Sequence, residues 1–96
     1  MEKALIYYQS QKSEHIEQII KNINILIAKL EFNYSIKGVF IDNYNERTEL
    51  TELLSLDLTS IDLLITNRSL IDEFDRQLII ELSRSENFEL KFFHDV

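Results

Sequence analysis

The sequence predicts a single α/β domain over residues 1–96, with a four-stranded, mainly parallel sheet and three helices in a three-layer βαβαβαβ order. Three observations predict it. Short apolar runs, rich in β-branched and aromatic residues, read as strands. Longer stretches between them repeat apolar residues at helical spacing. A chain of 96 residues with 45% hydrophobic content is enough for one core. Strands that alternate with helices favour right-handed crossovers and therefore a parallel sheet.

The first half of the chain contains a strand, a long helix and a second strand. Residues 3–8 are apolar and aromatic, as in a buried strand, and Ser13 is placed to cap the helix that follows. That helix has an apolar stripe about four turns long. Residues 36–41 form the second strand. The stripe consists of Ile16, Ile19, Ile20, Ile23, Ile27 and Leu30, widened by Ile25 and Leu26.

The second half repeats the alternation. A turn-type cluster at residues 42–45 precedes a short helix, residues 61–65 form a third strand, and a long helix and a last strand follow. The first three strands are apolar on both faces, which predicts interior positions, whereas the fourth alternates, which suits an edge strand or a half-covered strand. The defining apolar residues are Leu50, Leu53 and Leu54 of the short helix, Leu70, Phe74, Leu78 and Leu82 of the long helix, with Ile71 and Ile79 beside them, and Phe88, Leu90 and Phe92 of the last strand.

Composition excludes several kinds of site. Without cysteine there is neither a disulfide framework nor a thiolate site. Gly38 is the only glycine, so glycine-rich phosphate loops are excluded. His15 and His94 lie far apart in sequence, and a zinc site would need carboxylates as well. We therefore expect no metal and no cofactor.

The net charge of −7 bears on partners. Acidic residues outnumber basic ones 17 to 10, so direct binding to nucleic acid is not expected. The acidic surface either serves ordinary solubility, which we favour, or meets a basic protein. No apolar run approaches the ~20 residues of a membrane span. The first residues also lack the basic region of a signal peptide. We expect a cytoplasmic protein without a membrane partner.

The end of the first strand is chemically quiet. In open parallel sheets, ligands and catalytic groups collect just past the carboxyl ends of the strands. This strand ends at Gln9, Ser10 and Gln11, which provide two amides and a hydroxyl but no charge. A chain with the pattern of an enzyme domain therefore carries few reactive groups where reaction is expected.

The polar residues at the strand ends show a family resemblance. Tyr7-Tyr8-Gln9-Ser10-Gln11 stands where resolvase/invertase-type serine recombinases begin with a strand reading roughly Tyr-x-Arg-Val-Ser. Asp42 follows the second strand and Arg47 opens a Leu-x-x-Leu-Leu helix, as in that family. Arg68, after the third strand, loosely matches an arginine of the family's Asp-Arg-Leu-x-Arg motif. The chain thus resembles the N-terminal catalytic domain of serine recombinases.

The resemblance implies a resolvase-like, flavodoxin-like fold and a lost reaction. It aligns Gln9 with the active-site arginine and Gln11 with the nucleophilic serine, while Ser10 lies one position early. An amide can neither attack a phosphate nor replace a guanidinium that binds phosphate through two donors. The family's next strand, long dimerisation helix and DNA-binding domain have no counterpart, which predicts a truncated and degenerate relative. Its vestigial active-site positions are Tyr7, Gln9, Gln11, Asp42, Arg47 and Arg68.

Several of these residues also have simpler interpretations. Arg47 is either a vestigial phosphate contact or pairs with a nearby acid such as Asp42 or Glu46. Tyr7 is expected in the core with its hydroxyl at a polar strand end. Three acidic residues lie close together at the start of the predicted long helix that precedes the last strand: Asp72, Glu73 and Asp75. We interpret them as a solvated first helical turn and not as a metal site.

The last strand suggests a protein contact. Phe88 and Phe92 fall on one face and Phe93 on the other, and a small sheet cannot easily cover both. We therefore expect a non-enzymatic protein-interaction module, encoded by a phage or mobile element, which self-associates or docks on a larger protein. One alternative is a regulator that imitates the catalytic domain of a true recombinase or DNA-bound regulator. Another is a flavodoxin-like small-molecule binder.

Overall fold

A computed structural model describes residues 1–67 and 73–93. These residues form four strands and three α-helices that alternate along the chain. A short 3-10 helix at Leu58–Ser60 precedes the third strand. The elements are β1 (Glu2–Gln9), α1 (Ile16–Leu30), β2 (Tyr34–Asp42), α2 (Thr48–Leu54), β3 (Leu63–Thr66), α3 (Glu73–Ser85) and β4 (Glu89–Phe92).

The sheet is parallel throughout, in the order β2-β1-β3-β4. The predicted four-stranded α/β fold is therefore confirmed. Strand boundaries differ from the predicted ones by one or two residues, because capping and pairing partners decide where a strand stops. Asp62 illustrates this: it exchanges hydrogen bonds with Lys3 just before β3, its N–H donating to Lys3 O at 2.8 Å and its Oδ2 accepting from Lys3 N at 2.7 Å.

Helices cover both faces of the sheet, which makes three layers. Along β1, Leu5 and Tyr7 face α2 and α3, whereas Ala4, Ile6 and Tyr8 face α1. Both sets are buried, with 7% exposure or less. The α1 side is filled by Ile19, Ile23, Leu26 and Leu30, and the opposite side by Leu50, Leu53, Ile79 and Phe88.

The prediction that β2 is an interior strand is wrong, because β2 forms an edge of the sheet. Its Ile36 and Ile41 pack on the α1 side and Phe40 packs on the other, so both faces are apolar although one edge is unpaired. Burial of the two faces of a strand gives a pattern of apolar residues in the sequence. Backbone pairing of its two edges is independent of that burial and gives no such pattern. The prediction that β4 is an edge strand is confirmed.

Two predictions about α1 need correction. Ser13 does not cap the helix; His15 takes the cap position, without a side-chain hydrogen bond to the helix. The buried stripe is also narrower than predicted, since Ile16 and Ile20 are 51% and 46% exposed. Of the two residues predicted to widen the stripe, Leu26 is buried and Ile25 is 50% exposed, because α1 presents to the sheet only the positions directly above it.

The predicted face of α3 is wrong in part, because Phe74 is 71% exposed. The core side instead carries the buried Asp75 together with two of the predicted residues, Ile79, which is buried, and Leu82, which packs against the core. The spacing of these three residues places them on one helical face. Asp75 occurs on that face because Arg47, at the start of α2, forms an ion pair with it. The predicted members Leu70 and Ile71 lie outside the described residues.

Phe88 is withdrawn as an interface candidate. It precedes β4 and is only 6% exposed within the core that contains Leu53 and Ile79. Phe92 and Phe93 are partly buried. Phe93 packs on the α1 side of the sheet, opposite Phe88, as the alternation predicts.

Candidate functional site at the carboxyl ends of the strands

Buried polar side chains collect where β1, β2 and β3 end. Open parallel sheets bind their ligands at the carboxyl ends of their strands. Within the described parts of the chain, every buried side-chain nitrogen and oxygen has a hydrogen-bond partner. The buried polar atoms of the cluster are therefore satisfied by hydrogen bonds. Its members are Gln9, Ser10, Asp42, Thr66, Asn67 and Asp75.

Asp42 is the hub of the cluster. It ends β2, is 2% exposed, and receives the Tyr7 hydroxyl hydrogen bond on Oδ2 at 2.8 Å. The same carboxylate accepts the first-turn N–H groups of α2, from Glu49 at 2.8 Å and from Leu50 at 3.0 Å. Those N–H groups have no partner inside the helix, and a negative charge beside them is favourable. Asp42 thus caps α2 from the end of a neighbouring strand.

Tyr7 lies under this carboxylate as predicted, in the core with its hydroxyl at the polar strand end. Burial, followed by the hydrogen bond to Asp42, raises the pKa of the Tyr7 phenol well above its usual range. The negative charge of Asp75 also raises this pKa, and the positive charge of Arg47 opposes it. Tyr7 therefore stays protonated and serves as a donor.

Arg47 pairs with Asp75, not with Asp42 or Glu46 as the sequence suggested. Its Nε and one terminal nitrogen donate to the two carboxylate oxygens of Asp75, at 3.1 and 2.8 Å. The Asp75 side chain is 3% exposed and that of Arg47 is 51% exposed. A carboxylate needs such a partner to be buried, so the expectation of a solvated Asp75 is wrong. The pair connects the start of α2 to α3.

Gln9 occupies the position that the resemblance assigns to an arginine. Its side-chain amide donates to Glu46 O at 3.0 Å and so holds the loop before α2. Its backbone is held by Asn67, whose Oδ1 accepts from Gln9 N at 3.1 Å and whose Nδ2 donates to Gln9 O at 2.7 Å. Gln9 therefore joins the ends of three segments of chain.

Gln11 is exposed, and its backbone N–H donates to Glu14 Oε1 at 2.7 Å. The other oxygen of Glu14 accepts from the Tyr8 hydroxyl. Burial and then this hydrogen bond raise the pKa of Tyr8 well above its usual range. The Tyr8 ring also contacts Phe93, with centroids 5.2 Å apart and planes 52° apart. Phe93 thus packs in the core beside the loop that connects β1 to α1.

The remaining candidate positions give a mixed result. A hydrogen bond joins the Tyr7 hydroxyl to Asp42, whereas Arg47 forms an ion pair with the buried Asp75. Arg68 and the acidic residue Asp72 lie outside the described residues, as does His94. No group of three or more metal-ligating side chains occurs in the part of the chain that is described, and no described helix is long and apolar enough to cross a membrane.

Three contributors were not identified from the sequence: Asp75, Asn67 and Glu14. Asp75 carried a usable signal, because an acid spaced four residues before Ile79 on a core-facing stripe needs a cation. Asn67 acts through the backbone of Gln9, which lies 58 residues earlier in the chain, and such a contact leaves no pattern in the sequence. Glu14 acts within its own loop, where it accepts hydrogen bonds from the Gln11 N–H and the Tyr8 hydroxyl.

The arrangement is suited to holding elements together. Asp42 accepts three hydrogen bonds from this chain, and the charge of Arg47 is opposed by Asp75. The side chain at position 11 is an amide, which does not act as a nucleophile. The chemistry visible at this edge is hydrogen bonding between β1, β2, β3 and the starts of α2 and α3.

Comparison with known proteins identifies a fold. The chain is structurally similar to the C-terminal catalytic domain of ISC1926 TnpA, an IS607-like serine recombinase, with a TM-score of 0.76 and 22% sequence identity. The match covers 95% of this chain and 67% of that one. No family model and no curated protein matches the sequence. The likeness confirms that this α/β fold resembles the catalytic domain of a serine recombinase.

Proposed function

We propose that the chain is a catalytically inactive, serine-recombinase-like module that acts through protein contacts, by self-association or by docking on a larger protein. The observation that carries the proposal is the closed hydrogen-bond network at the strand ends. Asp42 and Arg47, which resemble catalytic residues, are engaged by Tyr7 and Asp75 and hold the fold together. Gln9 and Gln11 stand where the resemblance places an arginine and the nucleophile.

The net charge supports the same proposal. Serine recombination attacks a DNA phosphate, and the negative charge in the transition state is stabilised by several cations. A chain of net charge −7 repels DNA before any reaction begins. Arg47 faces a further penalty, because engaging a phosphate would require leaving Asp75 buried without its partner.

Incubation with supercoiled plasmid DNA tests for loss of catalysis. We expect neither nicked plasmid nor a protein–DNA adduct that survives denaturing electrophoresis. Ser10 is the hydroxyl nearest to the aligned position, so Ser10→Ala is the informative variant. Nicking or adduct formation that disappears in Ser10→Ala would refute the inactive assignment.

A measurement of mass in solution tests for protein contacts. Phe92, a partly buried residue of the edge strand β4, is the remaining interface candidate together with Phe93. Phe92→Ser should weaken self-association or partner binding about tenfold, the effect of removing a contributing aromatic contact. Phe32→Ser is the matched control, since Phe32 is 80% exposed and precedes β2, the opposite edge strand. Equal effects of the two variants, or a monomer that retains no partner, would contradict the proposal.

The structural likeness also favours a second function, regulation of a true recombinase by imitation of its catalytic domain. The similarity of fold extends over 95% of this chain, which supports imitation of the backbone shape of such a domain. Co-purification with a serine recombinase encoded nearby tests this directly. Failure to retain the recombinase at micromolar concentrations would count against imitation while leaving self-association open.

A further inference from the structure

A cleft lies at the amino ends of β1 and β2. The candidate site lies at the carboxyl ends of the strands, so the two are at opposite ends of the sheet. It has a volume of about 300 Å³, at the lower end of the range for small-molecule sites. Leu5 and Ile61 contribute to its lining from the buried core, and Leu56, which is 45% exposed, contributes further apolar surface. The cleft therefore offers a place for a short aliphatic group.

Two lysines give the cleft its charge. Lys3 from β1 and Lys37 from β2 line it, together with one acid, Asp57. Within residues 1–67 and 73–93, neither lysine forms an ion pair. The Asp57 carboxylate is engaged by the N–H and the hydroxyl of Thr59. The cleft thus has a local charge of about +1 on a chain whose net charge is −7.

A β-bulge explains why Lys37 is available at this place. Ala4 pairs with Ile36 and Leu5 pairs with Gly38, so Lys37 is the extra residue of β2. The next residue, Gly38, is closely surrounded by side chains. A Cβ atom at this position would lie 2.8 Å from the Phe40 ring and 3.4 Å from Leu5 Cδ2, so a larger residue would crowd them. The bulge therefore places a cation beside the apolar lining of the cleft.

We propose that this cleft binds a small amphipathic carboxylate, with its aliphatic chain against Leu5, Leu56 and Ile61 and its carboxylate between Lys3 and Lys37. The combination selects for both parts of the ligand. Two lysines favour an anion, and an apolar lining favours an aliphatic chain, with affinity rising up to about fourfold for each methylene group that becomes fully buried. The site lies apart from the strand ends, so it is independent of the proposed loss of catalysis.

Titration of the full chain with hexanoate, followed by two-dimensional amide NMR, tests the proposal. We expect saturable shifts at residues around the cleft, stronger binding along the series from acetate to butanoate to hexanoate, and weak or no binding of hexylamine. Lys37→Gln and Lys3→Gln should each weaken hexanoate binding at least threefold. Lys21→Gln is the charge-matched control, because Lys21 lies exposed on α1.

The outcomes separate clearly. Equal weakening by Lys21→Gln and Lys37→Gln would mean that net charge alone drives binding and would overturn the site. Equal binding of hexylamine, or the absence of saturable shifts at tens of millimolar hexanoate, would also overturn it. If Lys37→Gln disturbs β2, visible as lost dispersion in its own spectrum, the Lys3→Gln result decides.

Discussion

Replacement of Asp42 by Ala should be among the most damaging single changes in the chain. Three hydrogen bonds end on this carboxylate, from the Tyr7 hydroxyl and from the Glu49 and Leu50 N–H groups. Loss of a helix cap costs about 1 kcal/mol, and leaving a buried hydroxyl unsatisfied costs about 1–3 kcal/mol. With the second helix N–H, which costs about 1 kcal/mol, the total is about 3–5 kcal/mol.

The expected cost of Asp42→Ala is a large part of the total free energy of unfolding. A 96-residue domain has a free energy of unfolding of roughly 5–14 kcal/mol, at about 0.05–0.15 kcal/mol per residue. Tyr7→Phe removes only the hydroxyl and leaves Asp42 with its two helix donors, so it should cost about 1 kcal/mol. The two changes share one hydrogen bond, and a double-mutant cycle should therefore show that their effects are not additive.

Urea unfolding followed by far-ultraviolet circular dichroism measures these free energies. Glu52→Ala is the control, since Glu52 is an exposed acid of α2 and its removal should change stability by no more than about 0.5 kcal/mol. The explanation of Asp42 as a cap would be refuted if Asp42→Ala cost no more than Glu52→Ala. It would also be refuted if Asp42→Ala and Tyr7→Phe had equal effects, because the helix contacts would then contribute nothing.

Three further predictions concern charged groups. The raised pKa of Tyr7 means that the unfolded chain loses this proton first, so above about pH 10 Tyr7 should lower the free energy of unfolding by about 1.4 kcal/mol per pH unit, in addition to the contribution of Tyr8, and the slope should be smaller by that amount in Tyr7→Phe. Arg47→Met should cost about 1–3 kcal/mol in urea unfolding, discounted for the exposure of Arg47, because it strands the buried Asp75; a change below about 0.5 kcal/mol would contradict the pairing. The Thr59 hydroxyl and then its N–H hold the pKa of Asp57 below its usual range, and an NMR pH titration should show that pKa rising in Thr59→Val; an unchanged value would exclude the hydroxyl as a cause.

The sequence predicted the fold because alternation of apolar residues depends on short-range geometry. A strand buried on both faces and a helix with one apolar stripe each leave a local pattern. The same reasoning failed for β2, since an unpaired edge changes hydrogen bonding and not apolarity. It failed for α3 because Phe74 and Asp75 exchanged their expected places, the phenylalanine outside and the acid inside.

The candidate site was predicted by position but not by its contacts. Tyr7 and Asp42 were expected at neighbouring strand ends, and they meet there. The partner of Arg47 was missed because Asp75 follows it by 28 residues and approaches only through the packing of α3. Hydrogen bonds between segments far apart in sequence depend on the final arrangement of the helices, which residue patterns do not encode.

Asn67 gives the sheet an unusual ending. Beyond the last paired residues of β1 and β3, Tyr7 and Thr66, the ladder would ordinarily give way to water. The Asn67 side chain instead presents one carbonyl and one N–H to the backbone of Gln9, and so imitates the peptide group of a further strand residue. Gln9 and Asn67 are accordingly buried at the end of the seam between the two central strands. Fraying of this seam must break both side-chain hydrogen bonds together, so the end of β1 opens as part of the sheet and not as a loose terminus.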